Sequence, residues 1–389
     1  MNEYVIKGGS VYTENEVLSP GFVHIKDGKI NAAGPLADCP SSVPSFSVSE
    51  QYLILPGAVD IHIHGAAGAD TMDATHHSLH KMASFLPSEG TTAFLATTMT
   101  QEKRAIESAL QSFSSYKQKP GEAEITGIHL EGPFISPKHP GAQPSEAIIE
   151  PDTELFEQWQ ALSGGHIRLV TLAPEETNGL DLVSHLAHLH ITASAGHTDA
   201  TFDQLCHAAE AGLTHVTHLY NGMRGMHHRE PGTAGGALLH RDLYVEMIVD
   251  GIHIHPQMVR LAFEQKTANR TVLITDSMRA KGLPDGEYDL GGQAVSVENG
   301  KAVLGDGTLA GSTLSMQQAI RNMRKFTNCT IRDIVKMTAE NPARQVRLFE
   351  RKGSIAPGKD ADLVIYDEQF QVQKTICRGV VAFQKEREQ

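Results

Sequence analysis

Eight stretches rich in apolar and β-branched residues recur through the middle of the chain, separated by longer segments with a helical pattern. Strands that alternate with helices build a parallel sheet, and eight such units fit a (β/α)8 barrel, which typically takes about 250 residues. The stretches cover residues 57–64, 91–98, 125–133, 167–175, 191–198, 214–221, 244–254 and 271–278. The sequence therefore predicts an α/β fold with a TIM-type barrel, which we place at residues 56–345.

The two ends of the chain have a different character. Residues 1–55 and 346–389 consist of short strand-like runs and turns, and "KDGK" at residues 26–29 has the Asp-Gly centre of a hairpin. A thin sheet from either end alone has too little core to be stable. We therefore predict that both termini combine into one small β-sandwich domain beside the barrel.

The composition of the chain argues against some classes of binding partner. The chain of 389 residues has a net charge of -13 and no cluster of Lys and Arg, which argues against nucleic acid and anionic membranes. Four scattered cysteines without a CxxC pair are typical of a reduced, cytoplasmic protein. We expect neither a signal peptide nor a membrane span, because no sufficiently long apolar run occurs. An anionic substrate would need a local cationic pocket.

Histidines and carboxylates cluster where the predicted strands end. Active sites of such barrels lie at the carboxyl ends of the strands. A single histidine there is more often structural than a ligand, but many metal-type ligands on one rim favour a metal centre. These strand-end residues are His62, His64, Glu131, His197, His218, His253 and Asp276.

His62 and His64 lie two residues apart in "DIHIHG". Residues two apart on a strand share a face, so both imidazoles can reach one ion. A buried strand with two hydrogen-bonded histidines fits the same spacing, and the spacing alone leaves both interpretations open.

Glu131 ends the third strand in "GIHLEGP". A buried carboxylate is costly unless it is paired or binds a metal, so Glu131 could bridge two ions or complete a site with His197 and His218. The alternative is a glutamate that caps a loop. We interpret His129, one layer deeper, as a support for the ligands, and we expect His215 to point away from the site because it precedes His218 by three residues.

Asp276 ends the eighth strand in "LITDSM". A carboxylate beside a metal can take a proton from water and pass it to a leaving group. Asp is also a favoured residue at the start of a helix, so a capping role is the alternative. Only the proton-transfer role should fail when Asn replaces Asp.

Taken together, these residues resemble a known family. The stretch "PGAVDIHIHG", the strand-end ligands and the C-terminal "GSIAPGKDADLVIYD" resemble the amidohydrolase superfamily. More narrowly, "HLEGPF", "AGHTDA", "THLYNGM", "REPG", "DGIHIHP" and "LITDSM" are similar to its deacetylases of N-acetylated sugar phosphates. The resemblance covers essentially the whole chain, and "HLEGPF", "THLYNGM" and "DGIHIHP" are its most specific parts.

The resemblance implies metal-dependent hydrolysis of N-acetyl-D-glucosamine 6-phosphate to D-glucosamine 6-phosphate and acetate, with activated water as nucleophile. It implies Glu131, His197 and His218 as metal ligands and Asp276 as general base and acid. It also implies a homodimer in which Arg229 reaches the sugar phosphate of the neighbouring active site. The substrate contacts that it implies are Ala142, Asn221, Gly222, Arg229, His253, Leu309, Ala310 and Gly311.

The number of metal ions is a separate question. Many amidohydrolases bridge two ions with a modified lysine on the fourth strand, but "IRLVTLAPE" contains no lysine, so Glu131 must bridge if two ions bind. We predict two divalent ions, with His62, His64 and Asp276 holding the one that Glu131 shares with the His197 and His218 site. Fe²⁺, Zn²⁺, Mn²⁺ and Co²⁺ all suit these ligands.

Three other functions remain open at this point. Another amidohydrolase activity on the same metal site, such as a deaminase or an N-acyl amino acid deacetylase, is the nearest, because a fold does not fix a function. An inactive scaffold would have lost ligands, and a metal-dependent binding protein would not need Asp276.

Gln143 stands where related enzymes with a single zinc have a histidine that polarises the carbonyl group.

Overall fold

Parallel strands alternate with helices through the middle of the chain, as the sequence pattern predicts. In the computed structural model, which describes residues 3–386, these strands pair in chain order into one eight-stranded parallel sheet. The strands are Ala58–Ile63, Thr91–Thr97, Glu124–Glu131, Ile167–Leu172, Thr192–Ala195, His215–Val216, Tyr244–Ile248 and Thr271–Ile274. This order confirms the predicted (β/α)8 barrel.

The first and last strands meet at the rim and bring the two ends of the sheet together. The backbone N–H of Asp276 donates to the His62 carbonyl over 2.9 Å, and the N–H of His64 donates to the Ser277 carbonyl over 3.0 Å. These hydrogen bonds place Asp276 directly beside the two histidines of the first strand.

Helices pack around the outside of the sheet. They are His76–Phe85, Lys103–Ser115, Thr153–Leu162, Gly179–His188, Phe202–Glu210, Gly232–Leu239, Pro256–Lys266, Met316–Phe326, Ile331–Val335 and Asn341–Gln345. Helix Phe202–Glu210 illustrates how the sequence sets their starts: Thr201 and Gln204 exchange side-chain and backbone hydrogen bonds, which satisfies N–H groups of the first turn. Within residues 3–386, no helix combines the length and the apolar character needed to cross a membrane.

The terminal segments form two further sheets that share one core. One sheet contains Lys29–Pro35, Gly21–Lys26, Glu3–Lys7 and Ser45–Ser47 in that order. The other contains Val380–Gln384, Val372–Cys377, Leu363–Tyr366, Leu53–Pro56, Ser10–Tyr12 and Val17–Leu18. Ile6 and Ile25 of the first sheet pack in the same buried cluster as Ile54 and Ile365 of the second. Both termini thus contribute to a β-sandwich, while the division at residues 55 and 346 stays a prediction.

A small antiparallel sheet follows the last barrel strand. It contains Gly286–Leu290, Gln293–Glu298 and Lys301–Val303. Its core joins Leu290 and Val295 to Met99 and Met278 from the barrel rim. This insertion, which the sequence analysis did not separate from the barrel, covers one side of the pocket described next.

Candidate metal centre

A pocket opens at the carboxyl ends of the barrel strands. Its lining residues are His64, Met99, Glu131, Gly141, Ala142, Gln143, His197, His218, Asn221, Gly222, His253, Asp276, Leu290, Thr308, Leu309 and Gly311. His62 lies fully buried beneath this lining. The pocket therefore collects nearly all of the side chains that the strand-end pattern predicted.

His62, His64 and Asp276 form what we call the first donor group. Nε2 of His62 lies 3.4 Å from Oδ1 of Asp276, and Nε2 of His64 lies 3.3 Å from the same oxygen. The two histidines leave one face of the first strand, as their spacing predicts, and Asp276 joins them from the adjacent last strand.

Glu131, His197 and His218 form the second donor group. Nε2 of His197 lies 3.1 Å from Nε2 of His218, and each nitrogen lies 3.3 Å from Oε1 of Glu131. Nδ1–H of His197 donates to the His139 carbonyl over 3.0 Å, which leaves its Nε2 as a lone-pair donor.

Glu131 connects the two groups. Its Oε1 faces His197, His218 and Nε2 of His62 at 3.3 Å, whereas its Oε2 lies 3.1 Å from Nε2 of His64. Gln143 donates from Nε2 to the same Oε2 over 2.9 Å. One carboxylate therefore faces both groups.

The arrangement of these donors fits divalent metal. A zinc ion about 2.0–2.1 Å from each of four tetrahedral ligands holds neighbouring donor atoms about 3.4 Å apart, close to the spacing in both groups. Nε2 of His62 is buried and lacks a hydrogen-bond partner of its own in the described structure, although two carboxylate oxygens lie near it. An imidazole nitrogen in this position is suited to a metal.

The electrostatics of the site favour bound positive charge. Burial opposes the ionisation of Glu131, but the surrounding histidines hold its pKa well below the usual range. Burial likewise opposes protonation of His64, yet Asp276 and Glu131 raise its pKa to about 10. Two buried carboxylates among histidines thus attract positive charge, which a divalent ion supplies.

Three of the six donor residues have an unusual backbone. His197, His218 and Asp276 have φ angles of 47°, 29° and 47°, in the left-handed region that L-residues adopt at a cost of about 1–2 kcal/mol. Each lies just beyond the end of its strand, so the chain turns there and aims the side chain across the rim. Such conformations are common at functional sites.

The loop after Glu131 is anchored by aromatic packing. Phe134 of "HLEGPF" is fully buried and stacks on Trp159 of helix Thr153–Leu162, with ring centroids 5.7 Å apart. Such pairs contribute about 0.5–1.5 kcal/mol beyond the burial of their area. The aromatic residue thus fixes the loop that carries Gln143 towards the site.

The sequence model of the Amidohydrolase family matches residues 53–382. The chain belongs to the amidohydrolase family. The match spans the barrel and includes every member of both donor groups.

Individual relatives cover almost the full length. An N-acetylglucosamine-6-phosphate deacetylase of Bacillus subtilis is 51% identical over 383 residues, which are 97% of each chain. An N-acetylgalactosamine-6-phosphate deacetylase of Escherichia coli O157:H7 is 37% identical and covers 97% of this chain and 99% of its own. A solved N-acetyl-D-glucosamine-6-phosphate deacetylase of Mycobacterium smegmatis, in complex with N-acetyl-D-glucosamine 6-phosphate, superposes with a TM-score of 0.91 at 30% identity, covering 98% and 100%.

The predicted substrate contacts of this amidohydrolase fall into two sets. Ala142, Asn221, Gly222, His253, Leu309 and Gly311 line the pocket. Ala310 does not, because its side chain is fully buried in the core of the inserted sheet. Leu309 and Gly311, the residues on either side of Ala310, line the pocket instead.

Arg229 lies apart from this pocket. Its side chain is exposed and its Nη1 lies 2.8 Å from Nε2 of the exposed His228. Among the described residues, Arg229 is outside the pocket lining, so the structure does not bring it to the donor groups of its own chain.

Sequence analysis missed several residues of the site. Met99 and Leu290 are apolar lining residues that no pattern marked. Gln143 was marked by its position in the sequence, but its contacts were not: its Nε2–H donates to Oε2 of Glu131, and its Oε1 accepts from the backbone N–H of Thr100 over 2.8 Å. Glu246 is fully buried beneath the first donor group, and a carboxylate within the apolar run "YVEMI" could have revealed it.

The expectation for His215 was wrong. The sixth strand ends at Val216, so the alternation of strand side chains does not extend to His218. His215 points inward and its Nε2 lies 3.2 Å from Oε1 of Glu246. His129, in contrast, packs edge-on against His62 with centroids 4.5 Å apart and stays one layer below the donor atoms.

Proposed function

We propose that the protein hydrolyses N-acetyl-D-glucosamine 6-phosphate to D-glucosamine 6-phosphate and acetate, in the breakdown or recycling of amino sugars. The observation that carries this proposal is Asp276, a carboxylate that faces the pocket while its Oδ1 lies within 3.4 Å of both histidines of the first donor group. The 51% identity to the Bacillus subtilis deacetylase supports the choice of substrate.

Asp276 and His253 have distinct roles in the proposed reaction. When bound, a divalent ion lowers the pKa of water towards about 7 and polarises a carbonyl group. Asp276 accepts the proton of the attacking water and returns it to the sugar nitrogen as the C–N bond of the amide breaks. His253 donates from Nδ1 to Asp250 over 2.6 Å, which leaves its Nε2 available to hydrogen-bond the substrate.

The proposed metal content is two ions from the set Fe²⁺, Zn²⁺, Mn²⁺ and Co²⁺. His62, His64 and Asp276 would hold one ion, and His197 and His218 would hold the other. A shared role for Glu131 is supported by its contacts with both groups, because Oε1 lies 3.3 Å from Nε2 of His62 and of His197 and Oε2 lies 3.1 Å from Nε2 of His64. Elemental analysis of protein purified without oxygen tests both the number and the identity.

We further propose a homodimer in the cytoplasm in which Arg229 binds the phosphate of the substrate held by the partner subunit. A guanidinium suits phosphate because it offers paired donors, and the pocket lining in the described part of the chain contains no Lys or Arg to take that role. The exposure of Arg229 outside the lining of its own pocket is compatible with contact across an interface.

Arg229→Ala should raise KM for the phosphorylated sugar about 10–100-fold, because hydrogen bonds to charged groups contribute about 1.5–3 kcal/mol. The exposed Arg241→Ala is the matched control and should leave KM unchanged. Mixing Arg229→Ala with Asp276→Asn should restore activity, since one site of the mixed dimer then has both residues. Equal losses on phosphorylated and unphosphorylated sugars would contradict the phosphate role.

The 4-epimer of the sugar is a second candidate substrate. The 37% identical relative from Escherichia coli O157:H7 is named for N-acetylgalactosamine 6-phosphate. Acetate release should therefore be measured with both phosphorylated sugars, with unphosphorylated N-acetylglucosamine, and with an N-acetyl amino acid. We expect the highest kcat/KM for N-acetylglucosamine 6-phosphate. Release from the amino acid alone would contradict the proposal and favour the other amidohydrolase activities.

A further inference from the structure

Glu246 lies at the centre of the barrel, one layer below the pocket. Its side chain is fully buried on the seventh strand and is absent from the pocket lining of the described structure. It therefore cannot contact a substrate directly. A buried carboxylate is unfavourable unless its oxygens are satisfied, so its neighbours indicate what it does.

The two oxygens of Glu246 reach residues of both donor groups. Oε2 accepts from Nδ1–H of His62 over 2.9 Å and from the backbone N–H of His218 over 3.2 Å. Oε1 accepts from Nε2–H of His215 over 3.2 Å. His62 belongs to the first donor group and His218 to the second, so one carboxylate holds a member of each.

The hydrogen bond to His62 decides which of its nitrogens carries the proton. With Nδ1–H donating to Glu246, the lone pair of a neutral ring is on Nε2, the buried atom that faces Glu131 and Asp276. Partners of this kind fix the tautomer and the ring orientation of metal ligands. The bond to His218 acts differently, because it holds the backbone at a residue with a φ angle of 29°.

We propose that Glu246 is a positioning residue that orients His62 and His218 for metal binding. The proposal rests on the metal-dependent function proposed above and adds a residue that joins the two donor groups from below, whereas Glu131 joins them from within. His215 is itself held in place from its other side, because its Nδ1 lies 3.1 Å from Oε1 of Gln345. It can therefore keep Glu246 in position. A chain of hydrogen bonds thus runs from Gln345 to the donor atoms.

Another buried carboxylate of the chain, Glu122, offers a matched control. Glu122 is also a buried carboxylate that bonds a histidine, through His80 Nδ1, and a backbone N–H, through Lys119 over 3.0 Å. It belongs to neither donor group and contacts none of their members. Glu122→Gln therefore perturbs the histidine and backbone hydrogen bonds of another buried carboxylate without touching the proposed ligands.

The experiment titrates metal-free full-length protein with Zn²⁺ in competition with a chromophoric chelator. Glu246→Gln should weaken Zn²⁺ binding about 10–100-fold, the usual effect of losing a partner of a metal ligand. Glu122→Gln should bind Zn²⁺ like the wild type, even where both variants lose similar thermal stability. Glu246→Asp, which keeps the charge but shortens its reach, should fall between the wild type and Glu246→Gln.

Unchanged Zn²⁺ affinity in Glu246→Gln would overturn the proposal, as would an equal loss in Glu122→Gln. If Glu246→Gln does not fold, the Zn²⁺ affinity of Glu246→Asp decides in the same way. Failure of the proposed function is a separate outcome, because then the wild type itself would release no acetate or bind no Zn²⁺.

Discussion

The two donor groups reach the same pocket by different routes. His62 lies in the first strand and His64 directly follows its last residue, and hydrogen bonds between the first and last strands bring Asp276 beside them. The second group draws Glu131, His197 and His218 from three strands, and both histidines lie on left-handed backbone beyond the strand ends. The two histidines of the first group thus follow largely from local spacing, whereas the two histidines of the second group, like Asp276, depend on turns that only the complete fold can hold.

Asp276→Asn in the first group should have the largest effect. The amide cannot accept a proton, so kcat should fall by at least about 10²–10⁴-fold, the range for general acid–base catalysis. Metal content should remain near that of the wild type, because the amide oxygen can still face an ion. Acetate release and elemental analysis measure the two quantities.

Asp152→Asn is the control for that variant, because Asp152 caps helix Thr153–Leu162 far from the pocket and Asn caps helices equally well. Its turnover should match the wild type. Turnover of Asp276→Asn equal to that of the wild type would mean that Asp276 has only a structural role.

The double variant His62→Gln/His64→Asn should show, from the number of metal ions bound per chain, whether the first donor group holds an ion of its own. If each group holds one ion, the content should fall from two ions per chain to one. The double variant His185→Gln/His188→Asn, on the outer helix Gly179–His188, should leave the content unchanged. Equal ion content in both variants would mean that His62 and His64 are ordinary residues of a buried strand.

Gly222→Ala should disturb the second group by a smaller amount. A Cβ at this position would lie 3.0 Å from Nδ1 of His197 and 3.4 Å from Cε1 of His218, at a backbone φ of +56°. We expect a loss of about 1–2 kcal/mol in the free energy of unfolding from the strained backbone. The displaced His197 should also weaken metal binding a few-fold.

Gly165→Ala is the control for Gly222→Ala. It introduces the same backbone strain, at a φ of +80°, but no steric clash, because nothing lies within 4 Å of the added Cβ. It should lose similar thermal stability and bind metal normally. Identical metal affinities for the two variants would show that the second group tolerates displacement of His197.

The fold and most of the pocket could be predicted because their determinants are local or periodic. Strand and helix alternation specified the barrel, and the carboxyl ends of its strands specified where Glu131, His197 and Asp276 meet. The roles of these residues as ligands and proton carrier stay predictions, as do the contacts of Arg229.

What could not be predicted depends on long-range packing. Glu246 lies in the middle of its strand rather than at the end, and only the closed barrel places it under His62. His215 lies in a two-residue strand, which is too short for the alternation rule to reach His218, and Ala310 faces a core that the inserted sheet creates. In each case, a neighbour distant in sequence determines the direction of the side chain.

The left-handed backbone at His197, His218 and Asp276 has a consequence for protein engineering. Copying the six donor side chains onto another barrel would not reproduce this centre, because ordinary strand ends would aim them elsewhere; the turns must be transplanted with them. The strained backbone at these positions also lowers the stability of the fold, and the chain keeps it because the donor side chains must point into the pocket. Glycine at any of these positions would relieve the backbone strain but remove a buried donor side chain, so the centre would be lost with the strain.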